Sequence, residues 1–141
     1  MRKPYQVVLD TNVLVSAIRS SDGASFKLLS LLQKGFFQHH LSVPLGFEYE
    51  EVLHRHAKFL SIDPETIEAI LDYTIGTAIP HELFFLWRPC LVDPGDEMVL
   101  ELAVTANCEY IITHNIRHFS AIKSFSFRAI TPRDFLLKIG A

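Results

Sequence analysis

The chain opens on a short apolar run, Tyr5-Gln6-Val7-Val8-Leu9, followed at once by Asp10-Thr11-Asn12. A β-forming stretch that does not alternate in polarity predicts a strand buried on both faces. From Val13 the apolar positions move to helical spacing, through Leu14, Ala17 and Ile18, until Ser20-Ser21-Asp22-Gly23 breaks the pattern. Phe26, Leu28, Leu29, Leu31 and Leu32 predict a second helix with Gly35 as its stop. Residues 40–43 read as a second strand, and Pro44 opens a helix carrying Phe47, Val52 and Leu53. Asp63-Pro64-Glu65 caps another helix, with proline in its first turn and an apolar face of Ile67, Ile70, Leu71 and Ile75. Residues 83–86 are a candidate strand. Asp93-Pro94-Gly95-Asp96 launches a helix through Val99, Leu100, Leu102, Ala103 and Ala106. Residues 110–113 and 127–130 predict two more strands, and Thr131-Pro132 caps a last helix with Phe135, Leu136 and Ile139.

Apolar strands alternating with helices argue an α/β domain whose mostly parallel sheet lies between helices. The 141 residues suit a single domain, 1–141, able to bury a core without disulfides or metals as staples. Hydrophobic residues at 49% and charged residues at 21% exclude disordered and collagen-like classes. A net charge of −3 excludes a general polybasic nucleic-acid coat, while leaving room for a local basic patch. Cys90 and Cys108 lack zinc-type spacing and read as buried thiols in a reducing cytosol. No apolar run approaches the ~18 residues of a membrane span. The apolar stretch after Met1-Arg2-Lys3-Pro4 stops at Asp10, too early for a signal peptide.

In open α/β sheets, ligands bind beyond the carboxyl ends of the strands. Asp10 follows the first strand, and Glu48, Glu50 and Glu51 come one helical turn after the second. Asp93 and Asp96 precede the helix leading to the next interior strand, after which stand His114, Asn115 and His118. Carboxylates gathered on one edge repel one another, and a cation between them relieves the repulsion. Oxygen donors without cysteine suit Mg²⁺ or Mn²⁺. Such ions polarise a phosphoryl oxygen and activate water for in-line attack. The chemistry expected is metal-assisted phosphodiester hydrolysis.

Each residue also has a plainer role. Asp10 is placed to cap the helix near Val13. Asp93 and Asp96 resemble a cap and its capping-box partner around Pro94. Glu48 and Glu51 share a helix face and Glu50 points elsewhere, so one of Glu48 and Glu51 is the inward candidate. His54-Arg55-His56 alternates, which suits neither a helical metal pair at i, i+4 nor a zinc site, and reads as a polar helix face with phosphate contact as the alternative. His39, His40 and His81 have no ligand spacing and read as structural. For His114 and His118, a site role and a structural role stand level.

The motifs, taken in order, resemble the PIN-domain nucleases. Val8-Leu9-Asp10-Thr11-Asn12-Val13-Leu14-Val15-Ser16 resembles the opening of that family, and Glu48-Tyr49-Glu50-Glu51-Val52-Leu53 its second acidic motif. Asp93-Pro94-Gly95-Asp96, followed by Leu100 and Ala103, resembles the third. Residues 110–119 resemble the fourth, and Thr131-Pro132-Arg133-Asp134-Phe135-Leu136 the usual tail. The resemblance implies a parallel sheet of about five strands in the order 3-2-1-4-5. It also implies a Mg²⁺- or Mn²⁺-dependent endoribonuclease. Many small members are VapC-like toxins of toxin–antitoxin pairs, so an antitoxin protein is the implied partner beside the RNA substrate. Matched residue by residue, Asp10, Glu48 and Asp96 become the metal ligands, with Asn115 joining them in catalysis. Asn12, Thr113, Arg117 and His118 become substrate contacts.

This chain departs from the family pattern at Asn115 and His118, where acids are common. Three carboxylates remain instead of four, and Asn115 offers a carbonyl oxygen but no charge. The alternative function is therefore a catalytically weakened scaffold that binds RNA or a protein without cutting. An aspartyl phosphatase ranks lower, because the position two residues after Asp10 is Asn12 and not a second acid. No P-loop run is present. Arg55, Lys58, Arg117, Arg128 and Arg133 are the candidate cations for RNA. The helices over 26–32 and 67–75 serve the core by default, and a homodimer is the expected assembly.

Overall fold

A computed structural model describes residues 3–82, 94–119 and 127–141. The elements run β1 (Tyr5–Leu9), α1 (Thr11–Arg19), α2 (Ala24–Ser30), β2 (Phe37–Ser42), α3 (Val43–Leu60) and α4 (Pro64–Gly76). They continue with β3 (Ile79–His81), α5 (Pro94–Thr105), β4 (Tyr110–Ile112), a 3-10 turn (Ile116–His118), β5 (Arg128–Ile130) and α6 (Pro132–Ile139). The five strands form one sheet in the order β3-β2-β1-β4-β5. Every neighbouring pair is parallel. This is the α/β architecture and the strand order expected.

Val7, Val8 and Leu9 are consecutive and all fully buried. Successive strand residues face opposite sides, so both faces of β1 are covered. Phe135 of α6 packs edge-on against Tyr5, Phe37 and Tyr110 from three adjacent strands, at 5.7, 5.3 and 5.8 Å between ring centres. Burying such a ring contributes about 2–3 kcal/mol and ties the last helix to the middle of the sheet. Thr131 caps α6 by accepting from the Asp134 amide, and Gly140 closes it at φ +76°, a left-handed conformation that glycine adopts without strain.

Several boundaries differ from the periodicity. β2 begins at Phe37, because the ladder with β1 starts at the Tyr5–Phe37 pair. Val43 belongs to α3, since Ser42 caps that helix by accepting from the Leu45 amide. α2 ends at Ser30, and Gly35 at φ +88° serves the turn into β2 rather than a helix end. Phe47 is 67% exposed, because the inward stripe of α3 is Leu45, Tyr49, Leu53 and Ala57. On α4 the inward position belongs to Thr74, while Ile75 lies outside. The third strand is β3. The strand expected at 83–86, Cys90 and Asp93 lie outside the described residues. Cys108 is a buried free thiol, its pKa pushed up to about 12 chiefly by burial. No helix among the described residues is long and apolar enough to cross a membrane.

Candidate active site

The strand order reverses at β1, which pairs with β2 on one side and β4 on the other. The crevice for ligands in such sheets opens at this switch point, beyond the strand carboxyl ends. Asp10 and Thr113 stand there side by side. The Asp10 amide donates to the Ile112 carbonyl at 2.9 Å, and the Thr113 amide to the Ile130 carbonyl at 2.9 Å.

Asp10 is 7% exposed. Its Oδ2 accepts from the Thr113 hydroxyl at 2.7 Å and from Asn12 Nδ2 at 3.3 Å. Asn12 Nδ2 also reaches Thr113 Oγ1 at 3.3 Å, while Asn12 Oδ1 accepts from the His114 amide at 3.2 Å. The Asn115 amide closes the loop by donating to Thr113 Oγ1 at 3.0 Å. Thr113 has no exposed surface. Thr113 and Asn12 therefore bind Asp10 to the β4 loop, a geometry that positions the carboxylate.

Of the neighbouring acids on α3, Glu48 turns inward. Its Oε2 accepts from the Thr11 hydroxyl at 2.5 Å. Glu51 is exposed, 3.4 Å from Arg55. Asp96, in the first turn of α5, is buried, and its Oδ2 lies 2.7 Å from His118 Nδ1. Each of the three acids thus has one oxygen held by a side chain from another part of the chain. Such partners fix the orientation in which a carboxylate meets a ligand.

The acids sense one another. Burial is the largest influence on Asp10, pushing its pKa from 3.8 up to about 6. The Thr113 hydrogen bond opposes this, and the negative charges of Asp96 and Glu48 add to it. A cation among the three would relieve both burial and repulsion. All donors are hard oxygens, so the set fits Mg²⁺ or Mn²⁺.

Asn115, Arg117 and His118 are exposed on the 3-10 turn at the same edge. His114 points back to Ser25, with Nε2 2.8 Å from Oγ, and burial lowers its pKa. Two participants escaped the sequence reading. Thr11 holds Glu48, and Tyr49 is buried beneath the site, its hydroxyl donating to the Leu9 carbonyl. The signal available was adjacency, since Thr11 follows Asp10 and Tyr49 follows Glu48. Burial first, then the charges of Asp10 and Glu48, raise the Tyr49 pKa well above its ordinary value. The phenol stays neutral and serves as a donor.

A parallel α/β domain with carboxylates gathered at the switch point defines the class. The sequence profile of the PIN domain matches residues 6–117, and the chain belongs to that family. PIN domains are nucleases, and nucleases of this family use divalent metals. The structure is similar to one chain of VapBC2 from Rickettsia felis bound to a DNA fragment from their promoter. The TM-score is 0.62 at 18% identity, covering 89% of this chain and 98% of that one. At that identity the likeness is one of fold. No curated protein matches the chain in sequence.

Proposed function

We propose that this protein is a divalent-metal-dependent endoribonuclease, the toxin of a toxin–antitoxin pair, acting in the cytoplasm as one PIN domain over residues 1–141. The observation that carries the proposal is that Asp10, at the carboxyl edge of β1, feels the negative charges of both Glu48 and Asp96, with each of the three acids oriented by a partner. Membership of a nuclease family supports the hydrolysis. The toxin assignment and the antitoxin partner rest on the resemblance of the motifs to VapC-like proteins, and a homodimer is the assembly expected beside them. The fold likeness to the VapBC2 chain is consistent with them.

In this reading Asp10, Glu48 and Asp96 hold Mg²⁺ or Mn²⁺. The ion, when bound, polarises the phosphoryl oxygen and lowers the pKa of the attacking water. Thr113 and Asn12 keep Asp10 aimed, Thr11 does the same for Glu48, and Tyr49 ties α3 to the end of β1. Asn115 offers a neutral polar group to the reacting phosphate, and Arg117 and His118 offer donors to the flanking phosphates. With net charge −3, non-specific RNA affinity is weak and salt-sensitive. Single-stranded or looped RNA, whose bases and phosphates are accessible, suits an open edge of this kind.

The test is cleavage of mixed single-stranded RNA in Mn²⁺, Mg²⁺ or EDTA, with wild type beside Asp10→Asn. Metal-dependent cutting that the variant lacks supports the nuclease. Cutting at the wild-type rate by Asp10→Asn would overturn the assignment. One contact favours a second reading: His118 stands beside Asp96 where the family often has an acid. A folded protein that binds RNA, yet cuts none in any metal, would establish a binding scaffold instead.

A further inference from the structure

We propose that Glu50, His54 and Glu68 form a surface site for a borderline divalent transition metal such as Zn²⁺, joining α3 to α4. The site is separate from the acid edge. Glu50 lies two residues beyond Glu48, about 200° further round the helix, and so faces away from Asp10. Glu50 and His54 are four residues apart, on one face of α3. Glu68 comes from α4, which packs against α3 in the described fold. One ligand atom from each of the three lies within 4.8 Å of the other two.

His54 Nε2 is already 2.5 Å from Glu68 Oε1, so the two helices present their donors to each other. Glu50 has no hydrogen-bond or ion-pair partner among the described residues, and the nearby Arg55 is turned to Glu51. A zinc ion, with bonds of roughly 2.0–2.1 Å, holds tetrahedral donors about 3.3 Å apart. Exposed glutamates reach that spacing by rotamer change alone. An imidazole with two carboxylates is a mixed nitrogen and oxygen set, which favours Zn²⁺ over Mg²⁺. The three protein donors leave a fourth position for water. A bound ion would replace the present His54–Glu68 hydrogen bond and cross-link the helix pair.

The experiment is calorimetric titration of the full, EDTA-stripped chain with Zn²⁺ at about pH 7.5, above the usual imidazole range, with melting curves run alongside. Wild type, His54→Ala, Glu68→Gln and Asp10→Asn are compared. The expected result is a zinc event that raises Tm and weakens at least roughly tenfold in His54→Ala and Glu68→Gln, because even outer-shell partners of a metal typically account for that much. The event should persist in Asp10→Asn. Zinc binding unchanged in His54→Ala, or lost in Asp10→Asn alone, would overturn the proposal and leave the nuclease assignment standing. His54 and Glu68 lie at the surface, and circular dichroism is the check that their variants fold.

Discussion

Two polar clusters flank the middle of the sheet, and they are built on opposite principles. At the carboxyl edge of β1, Asp10, Glu48 and Asp96 bring like charges together, and burial with repulsion pushes the Asp10 pKa up to about 6. Between β1, β2 and β3 runs a chain of amide and imidazole groups. Gln6 Nε2 donates to Gln38 Oε1 at 3.0 Å, and Gln6 Oε1 lies 2.6 Å from His40 Nε2. His40 Nδ1 in turn lies 2.7 Å from His81 Nε2. An amide oxygen only accepts, so His40 carries its proton on Nε2 and receives one from His81 at Nδ1. Both ring nitrogens of the buried His40 thus have partners, as do both ends of the Gln6 amide. The histidine chain links neighbouring strands, whereas the acid cluster carries like charge that a cation would relieve. Buried polarity alone therefore does not mark a functional site, and unrelieved like charge is the better guide.

Exchange of one residue in each cluster should separate the two roles. The largest effect is expected for Asp10→Asn, which should lower metal-dependent RNA cleavage by roughly a hundredfold or more, since even outer-shell partners typically account for 10–100-fold. Single-turnover assays on folded protein would read this. Undiminished cutting would erase the contrast drawn above.

The pH dependence of metal-free stability should show the two clusters pulling in opposite directions. Asp10 has a folded pKa above its unfolded value of 3.8, so the unfolded chain releases its proton first. Stability is then lost as pH rises from about 4 to about 6, by at most about 3 kcal/mol for a shift of this size. Urea unfolding should show this limb as the difference between wild type and Asp10→Asn across that window, with Mn²⁺ abolishing it. The histidines act in the reverse sense. Burial, first of its causes, lowers both His39 and His40 from 6.5 to about 4, so stability falls as pH drops through that window.

Next in size, His40→Ala should destabilise the fold by about 2 kcal/mol, because Gln6 and His81 lose a buried partner. Its cleavage rate per folded molecule should stay at the wild-type value. A variant that folds normally yet cuts poorly would make the histidine chain part of the site. The smallest effect is expected for Thr113→Val, which keeps the side chain's shape and removes the hydroxyl that aims Asp10. Mn²⁺ affinity should fall roughly tenfold. Titration calorimetry showing an unchanged affinity would demote Thr113 to packing alone.

The order of elements was legible along the chain, because apolar strands and capped helices announce themselves locally. Thr131-Pro132 and Asp63-Pro64 each mark a helix start by chemistry contained in a few residues. Asp10 was visible for the same reason, as an acid at the end of an apolar strand. Interior register was less legible. Phe47 and Ile75 look like core residues, and only the packing of α3 and α4 shows which side of each helix turns inward.

The sequence by itself determined an α/β domain with acids placed after strands, since periodicity and capping depend on neighbours in the chain. Tertiary structure alone decided that Glu48 and not Glu51 turns to Asp10, because that depends on where Thr11 sits across 37 residues. It decided too that Thr113 holds Asp10 across 103 residues, and that His118 meets Asp96 across 22. His40 and His81, without ligand spacing in the sequence, become partners across 41 residues because β2 and β3 lie side by side. Pairings of this range follow from how strands and helices stack, and no local pattern encodes them.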